Sequence, residues 1–573
     1  MNDNTNFLLA IAFSIAILMG FHFFYEVPHQ KAVAAQATAE VIAKKVAEAE
    51  GTTVTEPRAK ALEKNPRILL SNEKIHGSID LHGGRIDDLT LSNYRETVDK
   101  TSPEITLLSP TGSAAPYLPY YAEFGWLASE KGSEKVPTAD TVWEASGDNH
   151  LVPGKTVSLH WNNGAGLAFQ RDITLDDDYM FTVKQTVRNT SGHDATLYPF
   201  GLIARRGLPQ AKGSFVGLHE GPIGVLSGQL RENGYKKLKD QPVITETSQG
   251  GWIGITDVYW LTAIIPPQDE NITANFLHNV VAKEDRYQVD FRGDAVTIKA
   301  GATTDHTLHF FAGAKEVTLL DAYGKQFNAP MFDKAVDFGW FYFIAKPFFY
   351  LLEWLAKTLG NYGLAIICFT LLLRGAFYPL SETSYRSMAR MKVLQPEMAR
   401  LKERYGKDPV KMNEEVTKLY AKEKLNPLSG CLPMLIQIPV FFALYKVLLV
   451  SIEMRHAPFY GWIHDLSAPD PSNVFNLFGL LPFDPTTLPF IGSFLHLGAW
   501  PLLMGSTMFI QQRLSPQQPD KTTQQVFMLM PIMFTFLFAS MSAGLVIYWT
   551  LSNLVAIAQQ QIIALRMKPK KAT

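Results

Sequence analysis

The strongest constraint on this chain is a change of texture near residue 335. Residues 30–330 read as a polar, soluble sequence, whereas residues 335–565 are dominated by Phe, Leu, Ile and Met. The apolar part comes in blocks, at 363–380, 430–450, about 494–510, and 526–565. A bilayer core about 30 Å thick needs about 20 apolar residues of helix, so each of the first three blocks predicts one span. The last is too long for one helix. Ser542-Ala543-Gly544 divides it into 526–541 and 545–565, which reads as a tight helical hairpin. An earlier block, 7–24, has 18 residues and makes a sixth span. It reads as an uncleaved anchor because no Lys or Arg precedes it; the competing reading is a signal peptide cut near Ala35-Gln36-Ala37.

The expected organisation is an anchor over 1–28, a linker rich in Ala, Glu, Lys and Thr over 29–66, and a soluble domain over 67–332. Spans then fall at 359–380, 429–452, 494–512, 526–541 and 545–565. The soluble domain shows short strand-like pieces at 75–81, 156–161, 179–188, 251–255 and 287–291, with turns such as Gly83-Gly84 and Asn162-Asn163-Gly164 between them. Strands without intervening helices predict a large β-sandwich. Residues 333–358 mix Trp340, Tyr342, Phe348, Phe349, Tyr350 and Trp354 with charged residues and are interrupted by Pro347, as expected of a helix lying in the membrane interface. The alternative is one long kinked span running on into 363–380. Cys368 and Cys431 lie in apolar segments and read as packing residues, not a disulfide framework.

Charge sets the expected topology. Residues 381–428 carry 11 Lys or Arg against 7 Asp or Glu, while residues 453–493 hold only Arg455 against Glu453, Asp465, Asp470 and Asp484. The tail, 566–573, holds Arg566, Lys568, Lys570 and Lys571 with no acid. Basic loops stay inside. Residues 381–428, the short loop 513–525 and both termini are therefore expected in the cytoplasm, with 67–332 and 453–493 outside; Lys31, on the outer side of the anchor, dissents. Within 381–428, Met388, Met391, Leu394, Met398, Leu401 and Tyr405 recur every three or four residues, Gly406-Lys407-Asp408-Pro409 is a turn, and Met412, Val416 and Leu419 continue a second stripe. The result is a helical hairpin. Its outer face, with Arg400, Lys402 and Arg404, together with Lys568, Lys570 and Lys571, reads either as a solvated connector or as a docking surface for ribosomal RNA or lipid phosphates.

Arg374 interrupts the block at 363–380. A charge at mid-membrane costs about 2.5–3.5 kcal/mol on insertion scales and marks a functional position, with snorkelling to the near interface as the bland alternative. Thr370 stands one turn before it, and Gln437, Ser506, Ser552 and Asn553 supply polar groups in neighbouring blocks. Singly these are ordinary packing hydrogen bonds between helices. Together with Arg374 they outline a hydrated hollow open to the cytoplasm. The block at 526–541 has 16 residues, about 24 Å of helix, so a thinned bilayer is also expected.

Several strings carry a family resemblance: Thr370-Leu-Leu-Leu-Arg374-Gly, Tyr378-Pro379-Leu380, Leu394-Gln395-Pro396, Asn426-Pro427-Leu428, Cys431-Leu-Pro433-Met-Leu-Ile-Gln437-Ile-Pro439, Trp462-Ile-His-Asp-Leu466, Gly544-Leu-Val-Ile-Tyr548-Trp549 and Ser552-Asn553-Leu554. The chain resembles the membrane protein insertases of the YidC/Oxa/Albino family, Gram-negative type. The resemblance implies a multi-domain membrane protein with six spans, a five-helix core around a cytoplasm-facing groove, and a large all-β periplasmic β-supersandwich similar to sugar-mutarotase folds. It implies nascent inner-membrane proteins as clients, and the Sec translocon with its accessory subunits, the ribosome and membrane lipids as partners. DNA is not among them, and no cofactor is expected. Arg374 would attract polar parts of a client's translocated tail, with Gln437, Ser506 and Asn553 lining the groove. Thr370, Phe441, Tyr548 and Trp549 match positions that meet the client's apolar segment, with Met504 and Met508 beside them. Trp549 stands where relatives often carry Tyr. The outer loop after Leu466 is longer than the enterobacterial pattern, so a re-entrant or interfacial piece near 474–481 is open.

Two other functions compete. A transporter using Arg374 for an anion would be expected to show an internal repeat of its helices, and none is visible. A carbohydrate enzyme in the soluble domain would draw on His150, His160, His219 and Glu220, a weak set without a spacing that defines chemistry. No metal motif, phosphate loop or nucleophile elbow is present. The reading is of a non-enzymatic insertase.

Overall fold

Alternating burial makes the first half a sandwich. Along the strand Leu167–Leu175 every second residue, from Leu167 to Leu175, is buried, and Met180–Asn189 repeats the pattern beside it in antiparallel register. That period of two places one face of each strand in a core. The structure, a computed structural model, describes residues 55–129, 134–209, 217–281, 283–405, 408–423, 432–487, 492–514 and 521–567. The expected anchor and most of the linker lie outside them, as do Lys568, Lys570, Lys571 and the side chain of Lys402. The chain divides into two units, Met1–Asp337 and Phe338–Thr573.

The described part of the first unit is all-β apart from short helices such as Val317–Gln326. An 11-stranded sheet runs, from one edge to the other, through Val243–Gln249, Asn271–Val281, Glu284–Gly293, Ala195–Arg206, Tyr120–Ala128, Arg85–Arg95, Ile75–Asp80, Arg67–Ser71 and His150–Leu151, with two short strands paired off this path. A 9-stranded sheet has Met180–Asn189 and Thr303–Ala314 near its centre. Aromatic residues join the two layers: Phe124 of the first meets Phe310 of the second edge-on at 5.5 Å, and Trp126 meets His306 at 6.0 Å. The expected pieces at 75–81, 156–161, 179–188 and 251–255 each fall within one residue of an observed strand. The piece at 287–291 is the middle of the longer Glu284–Gly293.

In the second unit the described helices are α1 Tyr342–Leu359, α2 Tyr362–Ala376, α3 Tyr378–Tyr405, α4 Pro409–Lys422, α5 Leu432–Val450, α6 Ala499–Leu514, α7 Lys521–Ala539 and α8 Ala543–Met567. α1 runs straight through Pro347 instead of being interrupted there. The proline lies in the second turn, so only one early hydrogen bond is forfeited. Its buried residues, Ala345, Phe349, Leu352, Leu355 and Ala356, form one stripe, while Trp340, Phe343 and Trp354 stay exposed. Gly360, with positive φ, ends α1, and the Asn361 side chain caps α2 by accepting from the Leu364 amide.

The span expected over 359–380 is not continuous. α2 stops at Ala376, and the chain bends by 60° before the stretch Tyr378–Met391 of α3. Pro379 has no amide to bond back to Gly375 and starts the new helix well, so the break falls at Phe377. The span expected from 494 also begins later, at Ala499, because Asp470 Oδ2 accepts the Trp500 amide and holds the first turn there. No single described helix is both long and apolar enough to cross a membrane by itself; α2 plus Tyr378–Met391 meets the test only as a bent pair, and Leu435–Val450 and Met528–Ala539 are shorter apolar helices. The hairpin matches its expected stripes: Met388, Met391, Leu394, Met398, Leu401 and Tyr405 are all half-buried, as are Met412, Val416 and Leu419. Tyr420 of α4 reaches Met398 of α3 at 3.4 Å.

Candidate functional site

Arg374 occupies the last turn of α2, where a cation meets the unpaired carbonyls and partial negative charge of the helix end. Only Gly375 and Ala376 separate it from the bend at Phe377, so it lies nearer the hairpin end of the bundle than a helix running to 380 would put it. Its side chain is half-buried and turns toward α8: Nε donates to Ser552 Oγ at 2.8 Å and one terminal nitrogen to the same oxygen at 2.5 Å. Gln559 Nε2, from the next turns of α8, donates to the Arg374 carbonyl at 3.0 Å. Among the described residues no carboxylate pairs with this guanidinium.

One turn before Ser552 on the same face of α8, Tyr548 is buried and its hydroxyl accepts from Gln437 Nε2 of α5 at 2.8 Å. Three helices thus contribute to one polar seam: Arg374 from α2, Gln437 from α5, and Tyr548, Ser552 and Gln559 from α8. Asn553 is turned elsewhere, since the next residue on a helix points about 100° away. It donates to Thr507 Oγ1 of α6 at 3.3 Å. Ser506 is exposed and bonds the Leu502 carbonyl of its own helix. The expected groove set therefore separates: Arg374 and Gln437 belong to the seam, whereas Asn553 and Ser506 do not share it.

Beside the seam lies an aromatic cluster. Trp549 meets Phe441 at 5.0 Å edge-on and Phe538 at 5.3 Å, and Phe441 meets Phe538 at 5.8 Å. Phe441 and Trp549 are half-buried, as is Met508. Thr370, Met504 and Tyr548 are sealed, and Thr370 Oγ1 bonds back to the Ile366 carbonyl at 2.6 Å. Arg400 and Arg404 are exposed on α3. Sequence reasoning missed Gln559, Thr507 and Phe538. Gln559 had a signal: with Tyr548, Ser552 and the buried Ala556 it continues a stripe of four- and three-residue steps.

The soluble-domain candidates do not converge. His150 Nε2 contacts Ser71 and His160 Nε2 contacts Ser146, both exposed contacts on the sandwich. His219 Nε2 donates to the Pro222 carbonyl at 3.1 Å, and burial depresses it to about 4. Burial raises its neighbour Glu220 above the usual carboxylate range. Among the described residues no group of His, Cys, Asp and Glu is placed to hold a metal.

Two family models account for almost all of the described chain. One, the YidC periplasmic domain, matches residues 67–351, and the other, the 60Kd inner membrane protein, matches residues 354–571. A membrane protein insertase YidC of Methylorubrum extorquens (strain PA1) is 46% identical over 600 residues, covering 99% of this chain and 96% of that protein. One of Granulibacter bethesdensis is 48% identical over 577 residues, covering 99% and 98%. A solved active YidC insertase with its first transmembrane domain resolved aligns over 94% of this chain at 16% identity and a TM-score of 0.34. By its family models and its full-length relatives, the chain belongs to the YidC family of membrane protein insertases, inner-membrane proteins with a periplasmic domain.

Proposed function

We propose that this insertase receives nascent inner-membrane proteins from the ribosome at its cytoplasmic face and works both alone and beside the Sec translocon with its accessory subunits. In this reading the seam around Arg374 is the floor of a hydrated groove open to the cytoplasm. The client's polar translocated tail is drawn to the guanidinium, while its apolar segment slides along the wall of Phe441, Trp549 and Met508. The observation that carries the proposal is the pairing of Arg374: two N–H donors rest on one serine hydroxyl, a partner that an incoming carboxylate outcompetes. A guanidinium already bound to a carboxylate would be spent on structure.

Short helices supply the second element. α2 has 15 residues and α6 has 16, about 22 and 24 Å of helix against a hydrocarbon core of about 30 Å. A bilayer thinned to match them lowers the barrier to moving polar chain across. No chemical step is needed, and no group here is assigned one. The basic hairpin and tail, with Arg400, Lys402, Arg404, Lys568, Lys570 and Lys571, dock the ribosome or anionic lipid through phosphate contacts that do not read sequence.

Photo-crosslinking from position 549 or 441 to a ribosome-stalled membrane-protein chain tests the groove. Adducts are expected while the client's apolar segment is leaving the ribosome, and no adducts are expected from the exposed Leu372, which lies about 160° around α2 from Arg374. Equal labelling from all three positions removes the groove.

A further inference from the structure

The long outer loop carries an apolar surface that the insertion mechanism does not use. Phe475, Leu477, Phe478, Leu480, Leu481 and Phe483 are all exposed, Leu480 at 82%. Residues 471–483 contain no charged side chain. Leu477 and Phe478 have φ of 53° and 58°, a left-handed conformation that bulky side chains rarely adopt. That backbone is held in place and turns the side chains outward.

The loop base is rigid. The buried Asp470 carboxylate accepts from Trp462 Nε1, the Ser472 amide and hydroxyl, and the Trp500 amide. Above it, several of the loop's amides find partners within the loop. The Phe475 and Gly479 amides donate to the side chains of Asn473 and Asn476, and the Phe478 and Leu481 amides to the carbonyls of those same residues. Pro482 has no amide, and the Phe483 amide donates to the Leu481 carbonyl. Water-facing loops leave such groups to solvent; in hydrocarbon each must find a partner within the protein.

Position points the same way. The loop joins α5 to α6, at the end of the bundle where Asn361, the cap of α2, donates to the Pro458 carbonyl. The turn before α8 meets the chain there too, through Ala543 and Gly544 donating to Ala468 and Leu466. That end is opposite the basic α3–α4 hairpin. Tyr460 and Trp462, 63% and 47% exposed beside the base, are residues that favour the headgroup layer.

We propose that residues 474–483 are a lipid-inserting loop, seated among the acyl chains of the outer leaflet with Tyr460 and Trp462 at headgroup level. The proposal rests on the helical unit lying in the bilayer. The full chain carrying C368S and C431S, with an environment-sensitive NBD label on L480C, is reconstituted in phosphatidylethanolamine and phosphatidylglycerol vesicles. Lipid bearing a doxyl group at acyl position 5 is expected to remove at least half of the emission, with little quenching by aqueous iodide. A tenfold change in protein-to-lipid ratio leaves both values unchanged. L529C, on an exposed face of α7, reports the helical unit itself. Doxyl quenching at 529 with only iodide quenching at 480 overturns the lipid loop alone, and loss of doxyl quenching at both overturns the placement beneath it. Quenching at 480 that depends on protein density assigns the surface to a second copy and also overturns the proposal. Adding F478E, at an exposed position, is expected to move the 480 label into water while 529 is unaffected.

Discussion

A guanidinium is the one side chain that stays charged at any depth, so its partner decides whether it is structural or available. At Arg374 that partner is a hydroxyl, Ser552, together with the carbonyl end of its own helix. Arg374→Ala should reduce insertion of clients with acidic translocated tails by about tenfold, equivalent to about 1.4 kcal/mol of lost attraction, and spare clients with neutral tails. A reconstituted insertion assay on paired clients reads the difference, and an equal loss on both removes the attraction. Ser552→Ala should behave differently. It frees the guanidinium at a stability cost of about 1 kcal/mol and leaves acidic clients served, which a thermal melt beside the same assay separates. Asp470 gives a third residue-scale test. Its carboxylate takes four hydrogen bonds at the loop base, so Asp470→Ala strands several buried donors and should cost about 3 kcal/mol, whereas Asp470→Asn should cost less. Arg374 and Gln437 were legible in the sequence because each is polar within an apolar run. Asn553 was misgrouped with them because composition records that a helix is polar and only helical phase says toward whom. Tyr548 and Ser552, four residues apart, share a phase that Asn553 does not.

At the scale of elements, helices were found where the spacing of apolar residues was regular and misjudged where hydropathy ran on across a change of direction. The hairpin was readable down to single residues, because Met388 through Tyr405 repeat at three and four and each proves half-buried. The bend at Phe377 was not, since apolar residues continue on both sides of it; Gly375 and Pro379 were the local signals. The strands were placed well by their turns, while the identity of neighbours in each sheet was not accessible, because pairing joins segments more than a hundred residues apart, as in Met180–Asn189 with Thr303–Ala314. One close approach shows how tightly the bundle is set. A Cβ at Gly505 of α6 would lie 1.9 Å from Thr535 Oγ1 of α7. Gly505→Ala should force the helices apart at about 1–3 kcal/mol. Adding Thr535→Ala should recover most of it, and a double-mutant cycle of melting temperatures measures that coupling.

The whole molecule joins a periplasmic sandwich to a helical unit, and acid should act on the sandwich through its buried histidines. Burial holds both His219 and His309 at about 4, against an ordinary 6.5. At pH 7 each is neutral folded or unfolded, so neither affects stability. As pH falls below about 6.5 the unfolded chain takes up protons that the folded one refuses, and stability declines until about 4, where the penalty is complete. Asp87 opposes this. Burial raises it to about 6 in spite of its contact with Arg67, so its cost is full above pH 6 and is relieved on acidification. Glu220, Asp176 and Asp290 are also raised by burial and act with Asp87, so the loss of stability is expected locally, around the two histidines. Hydrogen exchange, corrected for its intrinsic pH dependence, reads the units separately in the intact protein. Peptides from the strands Met180–Asn189 and Thr303–Ala314 should open more readily at pH 5 than at pH 7. The His219→Gln and His309→Gln double variant should lose most of that difference. His309 contacts Thr182 across these same two strands, so the response should be strongest there, and an unchanged response in the variant would assign acid sensitivity to other groups.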